Sequence, residues 1–130
     1  DGILPESTPK ALLTKAKAQR EANQKAAAET TLMSLVNEYK TIQGAEGLYL
    51  MALAQQEKGD FNQSNEIVFD FSGPFADYDF WYGKMFLLIS DNYLKLGEDF
   101  QAKATLESIV ERSTNAEIKA EAESKLKNLN

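Results

Sequence analysis

The sequence predicts an all-α domain of about six helices, folded as antiparallel helical hairpins stacked side by side. Three observations carry this reading. Apolar residues recur at helical spacing along nearly the whole chain, and the β-favouring run Ile67-Val68-Phe69 falls inside such a helical period. Chain-breaking groups interrupt the periodicity at Asn23, Gln43-Gly44, Gly59-Asp60, residues 72–79, Gly97 and Ser113-Thr114-Asn115. Two of the segments so delimited align with each other 38 residues apart, a period of about 34 with four residues inserted.

Residues 1–8 read as an extended tail. Thr8 followed by Pro9 is a helix start, a capping hydroxyl and then proline at the first helical position. Residues 9–42 are rich in alanine, the strongest helix former, and fit one long helix or a degenerate first pair broken at Asn23. Ala28, Leu32, Leu35, Val36 and Tyr39 form an apolar stripe there, which Gln43-Gly44 closes. A helical pair follows over residues 45–71. Its first helix carries Leu48, Leu50, Met51, Ala52 and Ala54, Gly59-Asp60 makes the turn, and its second helix turns Ile67, Val68 and Phe71 inward. Residues 72–79, with Gly73 and Pro74, are the clearest loop in the chain. The pair over residues 80–112 opens with the most apolar helix, which holds Trp81, Phe86, Leu87, Leu88, Ile89, Tyr93 and Leu94, and belongs at the centre of the core. After Gly97 its second helix presents Ala102, Leu106, Ile109 and Val110. Thr114-x-x-Glu117 reads as a capping box for a last helix over residues 115–129, with Ile118, Ala122, Leu126 and Leu129 on one face.

The two aligned segments read Leu48-x-x-Met51-Ala52-x-x-Gln55, Gly59, Ser64-x-x-x-Val68, and Phe86-x-x-Ile89-Ser90-x-x-Tyr93, Gly97, Ala102-x-x-x-Leu106. Small residues let paired helices approach, large ones fill the groove between them, and the glycines permit the reversing turn. This pattern resembles the tetratricopeptide repeat. It covers residues 45–112 best and 9–40 weakly, with Gln55 where an aromatic is usual and four residues inserted between the two glycines, in the 72–79 loop. The resemblance implies a right-handed α-α superhelix, with residues 115–129 as the polar-faced capping helix of the array. The segment from Phe80 to Val110 is also similar to repeat proteins of bacterial cell envelopes, which favours a periplasmic or envelope-associated location over a cytoplasmic one.

Composition narrows the chemistry. The chain has no cysteine and no histidine, so thiolate nucleophiles, thiolate metal sites, disulfides and the commonest general base near neutral pH are excluded. A net charge of −6 repels phosphate backbones and anionic lipid, which argues against nucleic-acid and lipid-surface partners. No stretch approaches the length of a membrane span. Phosphate-binding loops, dinucleotide fingerprints and nucleophile elbows are absent. Asp77-Tyr78-Asp79 lacks the further ligands of a calcium loop and reads as an acidic cap. The charges of the last helix, Glu117, Glu121, Glu123, Lys119, Lys125 and Lys127, read as a solvated surface. Trp81 reads as core, with one of Tyr78, Phe80 and Tyr82 left partly exposed. No enzyme, cofactor or metal centre is expected.

The resemblance implies a protein- or peptide-binding scaffold whose first helices line a concave groove. Carried onto the matching repeats, the groove positions are Glu46, Tyr49, Leu53, Gln56 and Glu57 from one helix and Lys84, Leu87, Asp91, Leu94 and Lys95 from the next. Apolar groups rimmed by both charge signs suit an amphipathic or extended peptide, and self-association is compatible with the same surface. The alternative is a structural spacer or assembly segment of a longer repeat protein, for which a start at Asp1 in place of Met speaks.

Overall fold

The computed structural model describes residues 7–129, so all of the expected tail but Ser7 and Thr8 lies outside the described residues. Seven α-helices follow one another: α1 (Pro9–Glu21), α2 (Lys25–Glu38), α3 (Ile42–Glu57), α4 (Phe61–Phe71), α5 (Asp79–Lys95), α6 (Asp99–Arg112) and α7 (Ala116–Leu129). A 3-10 turn, Gly73–Phe75, stands between α4 and α5, and no strand occurs among the described residues. Helices α1–α2, α3–α4 and α5–α6 pack as hairpins. The odd-numbered helices form one layer, each on the next, while α2, α4 and α6 pack back on α3, α5 and α7. The fold is all-α and repeating, with one helix more than the sequence count because residues 9–38 form two.

The breaks have local causes. Asn23 takes φ 61°, the left-handed conformation that ends α1, and it is the one non-glycine residue with positive φ among those described. Gly59 (φ 83°) and Gly97 (φ 76°) do the same for α3 and α5, and in each case the amide two positions past the cap closes on a carbonyl of the last turn. A Cβ at Gly97 would meet no atom within 4 Å, so a substitution there acts through backbone conformation alone. Gly97→Val is expected to cost about 2 kcal/mol, because a β-branched residue resists the left-handed region. Thermal denaturation should register a fall of roughly 4 °C or more; a midpoint that moves by less than about 2 °C would mean the turn does not need glycine.

Two helix starts differ from the sequence reading. Gly44 does not close α2: that helix ends at Glu38, and Gly44 sits in the first turn of α3, donating its amide to the Thr41 cap hydroxyl at 3.3 Å. Thr114 does not cap α7. The Asn115 side chain does so, accepting the Ile118 amide at 3.0 Å, while the Thr114 hydroxyl donates to the Asp79 carboxylate on α5. The Asp79 carboxylate thus ties down a neighbouring loop, and the position capping α5 is Tyr78, which lends no side-chain bond. Thr8 and Asp60 cap α1 and α4 by accepting the Ala11 and Gln63 amides.

The main core joins α1 to α5 through Leu32, Val36, Leu48, Met51, Val68 and Ile89, with Trp81 half-buried on its edge. A second cluster, Leu87, Leu106, Ile109, Ile118 and Ala122, seals α5, α6 and α7 together. Ala52, Ser64, Ser90 and Ala102, the small residues of the repeat pattern, are all fully buried, as close helix approach requires. Two features were not legible beforehand. Phe75, in the 72–79 loop, is fully buried in the main core. Asn92, fully buried on α5, donates to Ser64 Oγ (2.9 Å) and Asn65 Oδ1 (2.8 Å) on α4 and accepts from Gln56 Nε2 (3.0 Å) on α3. Ser64 in turn donates to the Ala52 carbonyl at 2.7 Å, so one polar network stitches three helices.

Candidate functional site

The layer of odd-numbered helices brings most of the expected groove residues onto one face, and it ties them to partners on neighbouring helices. Glu46 of α3 pairs with Lys17 of α1 at 2.5 Å, and Glu57 with Arg20 of α1 at 3.3 Å. Asp91 of α5 pairs with Lys125 of α7 at 3.1 Å. Between these pairs Tyr49 lies against Trp81, with ring centroids 5.7 Å apart, and the Lys84 ammonium stands 5.6 Å from the Tyr49 ring centre. Leu53 is half-buried against the main core, Leu94 is half-buried and Lys95 is exposed. Gln56 reaches inward to Asn92.

Leu87 is a correction. Only 3% of it is exposed, and it packs among Leu106, Ile109 and Ile118, so it holds the α5–α7 seam together and offers nothing to a ligand. Its place in the helical repeat matched a groove position, but α7 closes over that side of α5. The sequence reading also missed Lys17, Arg20, Glu121 and Lys125, because α1 was read as degenerate and α7 as a solvated cap. The spacing of Glu121 and Lys125, one turn apart, was the available signal that α7 presents a polar stripe to the same face.

Electrostatics place Tyr49 at the centre. Burial raises the Tyr49 phenol above its ordinary value, and the carboxylates of Glu121, Asp91 and Glu57 push it further up, while the Arg20 guanidinium opposes them. Charges carried by α1, α3, α5 and α7 thus all act on this one phenol. Tyr93 is also raised, by burial and then by Glu98. Because the folded state holds the Tyr49 proton more tightly than the unfolded chain, that contribution to stability is complete below pH 10, the unfolded value, and is lost as pH rises beyond it. Glu121→Gln is expected to lower the Tyr49 pKa, read by following the ring carbons through an alkaline NMR titration. An unchanged value would mean that the Glu121 charge does not act on Tyr49.

The carboxylates of the face are in ion pairs or exposed: Glu46, Glu57 and Asp91 are paired, and Glu121 is exposed. Among the described residues, no group of three or more His, Cys, Asp or Glu is placed to hold a metal ion, and no helix is long and apolar enough to cross a membrane. A small pocket of about 270 Å³ lies beside the face, between the α1–α2 turn and the end of α3, and Arg20, Glu29, Glu57 and Lys58 line it. Glu29 and Lys58 bridge it at 2.6 Å.

A family model for the tetratricopeptide repeat matches residues 10–41 and 85–115, that is, the α1–α2 hairpin and the α5–α6 hairpin from Met85 onward. The two matches support a tetratricopeptide-like repeat family. The match includes the stretch whose likeness was faint by eye, residues 9–40, where Asn23 occupies the turn position that glycine holds elsewhere. The α3–α4 hairpin, one of the two whose pattern suggested the family, falls outside the matched residues yet packs as the other hairpins do. Comparison with curated proteins and with solved structures returns no match. Tetratricopeptide repeats generally serve protein–protein interaction and scaffolding, as modules without catalysis of their own.

Proposed function

We propose that this repeat protein binds a protein segment along the concave face of α1, α3, α5 and α7, centred on Tyr49. The observation that carries the reading is the row of side chains along these helices: Tyr49 lies against Trp81 and under Lys84, the Lys17–Glu46, Arg20–Glu57 and Asp91–Lys125 pairs join neighbouring helices, and Leu53 and Leu94 are half-buried. Glu46, Glu57 and Asp91 stand there beside Lys17, Arg20, Lys84 and Lys125, so the face offers both charge signs to a partner that carries both. The existing ion pairs are partly exposed, so each contributes no more than about 1 kcal/mol and can be exchanged for pairs with a partner at little cost.

Site-specific photo-crosslinking in the native host tests this. A benzophenone side chain at position 49 or 94 should capture one and the same partner, and Asp91→Arg should abolish capture from both. The same probe at Glu66 or Glu107, exposed on α4 and α6, should not capture it. Equal capture from the outer positions, or indifference to Asp91→Arg, would remove the groove assignment.

A further inference from the structure

A second concavity lies on the other side of α5. Helical spacing sets Asp79, Tyr82 and Phe86 on the face turned away from Lys84, Asp91 and Lys95. There α5 and α6 enclose a pocket of about 570 Å³, within the size range of ligand sites. Its wall is aromatic: Tyr82 and Phe86 stand 4.9 Å apart between ring centres. Phe69 of α4, 53% exposed, lies 6.3 Å from Phe86 and carries the apolar surface on beyond the pocket's edge. The mouth is polar, and it holds one carboxylate and one guanidinium, Asp79 and Arg112.

The two charges are not equivalent. Asp79 is engaged by the Thr114 hydroxyl. Arg112 is one of two arginines in the chain. Arg20 is paired with Glu57, whereas Arg112 is exposed and makes no ion pair among the described residues. Its position in the last turn of α6 suits the helix dipole, which accounts for a cation there but equally for a lysine. A planar guanidinium without a partner, at the lip of an aromatic pocket, is complementary to a carboxylate.

We propose that this pocket is a second binding site, and that it takes up a short protein segment in which a large apolar side chain adjoins a carboxylate. The apolar side chain packs on Tyr82 and Phe86, and the carboxylate meets Arg112. A protein segment is preferred to a small molecule because the apolar wall continues outside the pocket onto Phe69, where only a longer occupant would cover it. This site is independent of the groove around Tyr49, and neither reading rests on the other.

The test is a titration of the isotope-labelled chain with a capped five-residue peptide that has phenylalanine next to aspartate, and with a control in which lysine replaces the aspartate. The aspartate peptide should shift the amides of Thr105, Ser108, Ile109 and Thr114 and leave Tyr49 and Asp91 unmoved. The lysine peptide should bind about fivefold more weakly, the range for one exposed charge pair. Arg112→Gln should remove that difference, and Ser108→Trp, which fills the pocket from an exposed position, should abolish binding of both. The proposal is overturned by pocket amides that do not move at about 5 mM peptide, by equal binding of the two peptides, or by shifts confined to the Tyr49 face. It is also overturned if the pocket amides shift with protein concentration alone, which would make the occupant a second copy of the chain.

Discussion

Phe75→Ala is expected to destabilise the chain by about 3–5 kcal/mol, the range for emptying a fully buried aromatic site. The side chain comes from a Gly-Pro turn, yet it is fully buried in the main core, and the turn packs against both α3 and α4. The fit is close on the α3 side. A Cβ at Gly44 would lie 2.9 Å from the Phe75 ring and 2.0 Å from the Tyr39 carbonyl, so glycine at 44 is what lets the aromatic seat there. On another side the Lys40 ammonium stands 5.7 Å from the ring centre. Chemical denaturation measures it directly. A loss under about 1 kcal/mol would mean that the inserted turn is a surface flap and not a plug.

Asn92→Ala should have the second largest effect, about 3 kcal/mol, and for a different reason. The substitution removes few apolar contacts but strands Asn65 Oδ1, which then has no donor, and deprives Ser64 Oγ and Gln56 Nε2 of their partner. Ser64 and Asn65 are buried, so water cannot replace the lost bonds cheaply. Gln56→Ala is the internal control. Gln56 is only half-buried, and its loss leaves Asn92 with its two bonds to α4, so the cost should stay near 1 kcal/mol. Equal destabilisation by the two variants would place the energy in packing around α3 and not in the network.

The contrast between these two sites and the rest of the molecule shows what periodicity can convey. Ala52, Ser90, Gly59 and Gly97 were legible because each does a job that its own position in a repeating hairpin demands: a close approach or a left-handed turn. Phe75 was not legible, since its burial depends on a cleft formed by α3 and α4 and on the bare backbone of Gly44, thirty-one positions away in sequence. Asn92 was equally hidden, because a single asparagine amid apolar residues looks like a surface position until its partners on two other helices are placed. The proposed binding face divides in the same way. Tyr49, Glu57 and Asp91 were named from their place in the repeat, whereas Arg20, Glu121 and Lys125, which stand near them, come from helices whose own patterns were faint. Leu87 went wrong in the complementary way. The repeat position was read correctly, but the pattern does not say that α7 covers it.

The chemical-shift map of the labelled chain with the partner captured at position 49 bears most directly on the claim that the inner helical face is the working surface. Shifts gathered on Tyr49, Leu53, Asp91 and Leu94, with smaller ones on Arg20 and Glu121, are the predicted result. Shifts confined to the outward faces of α2, α4 and α6 would contradict it.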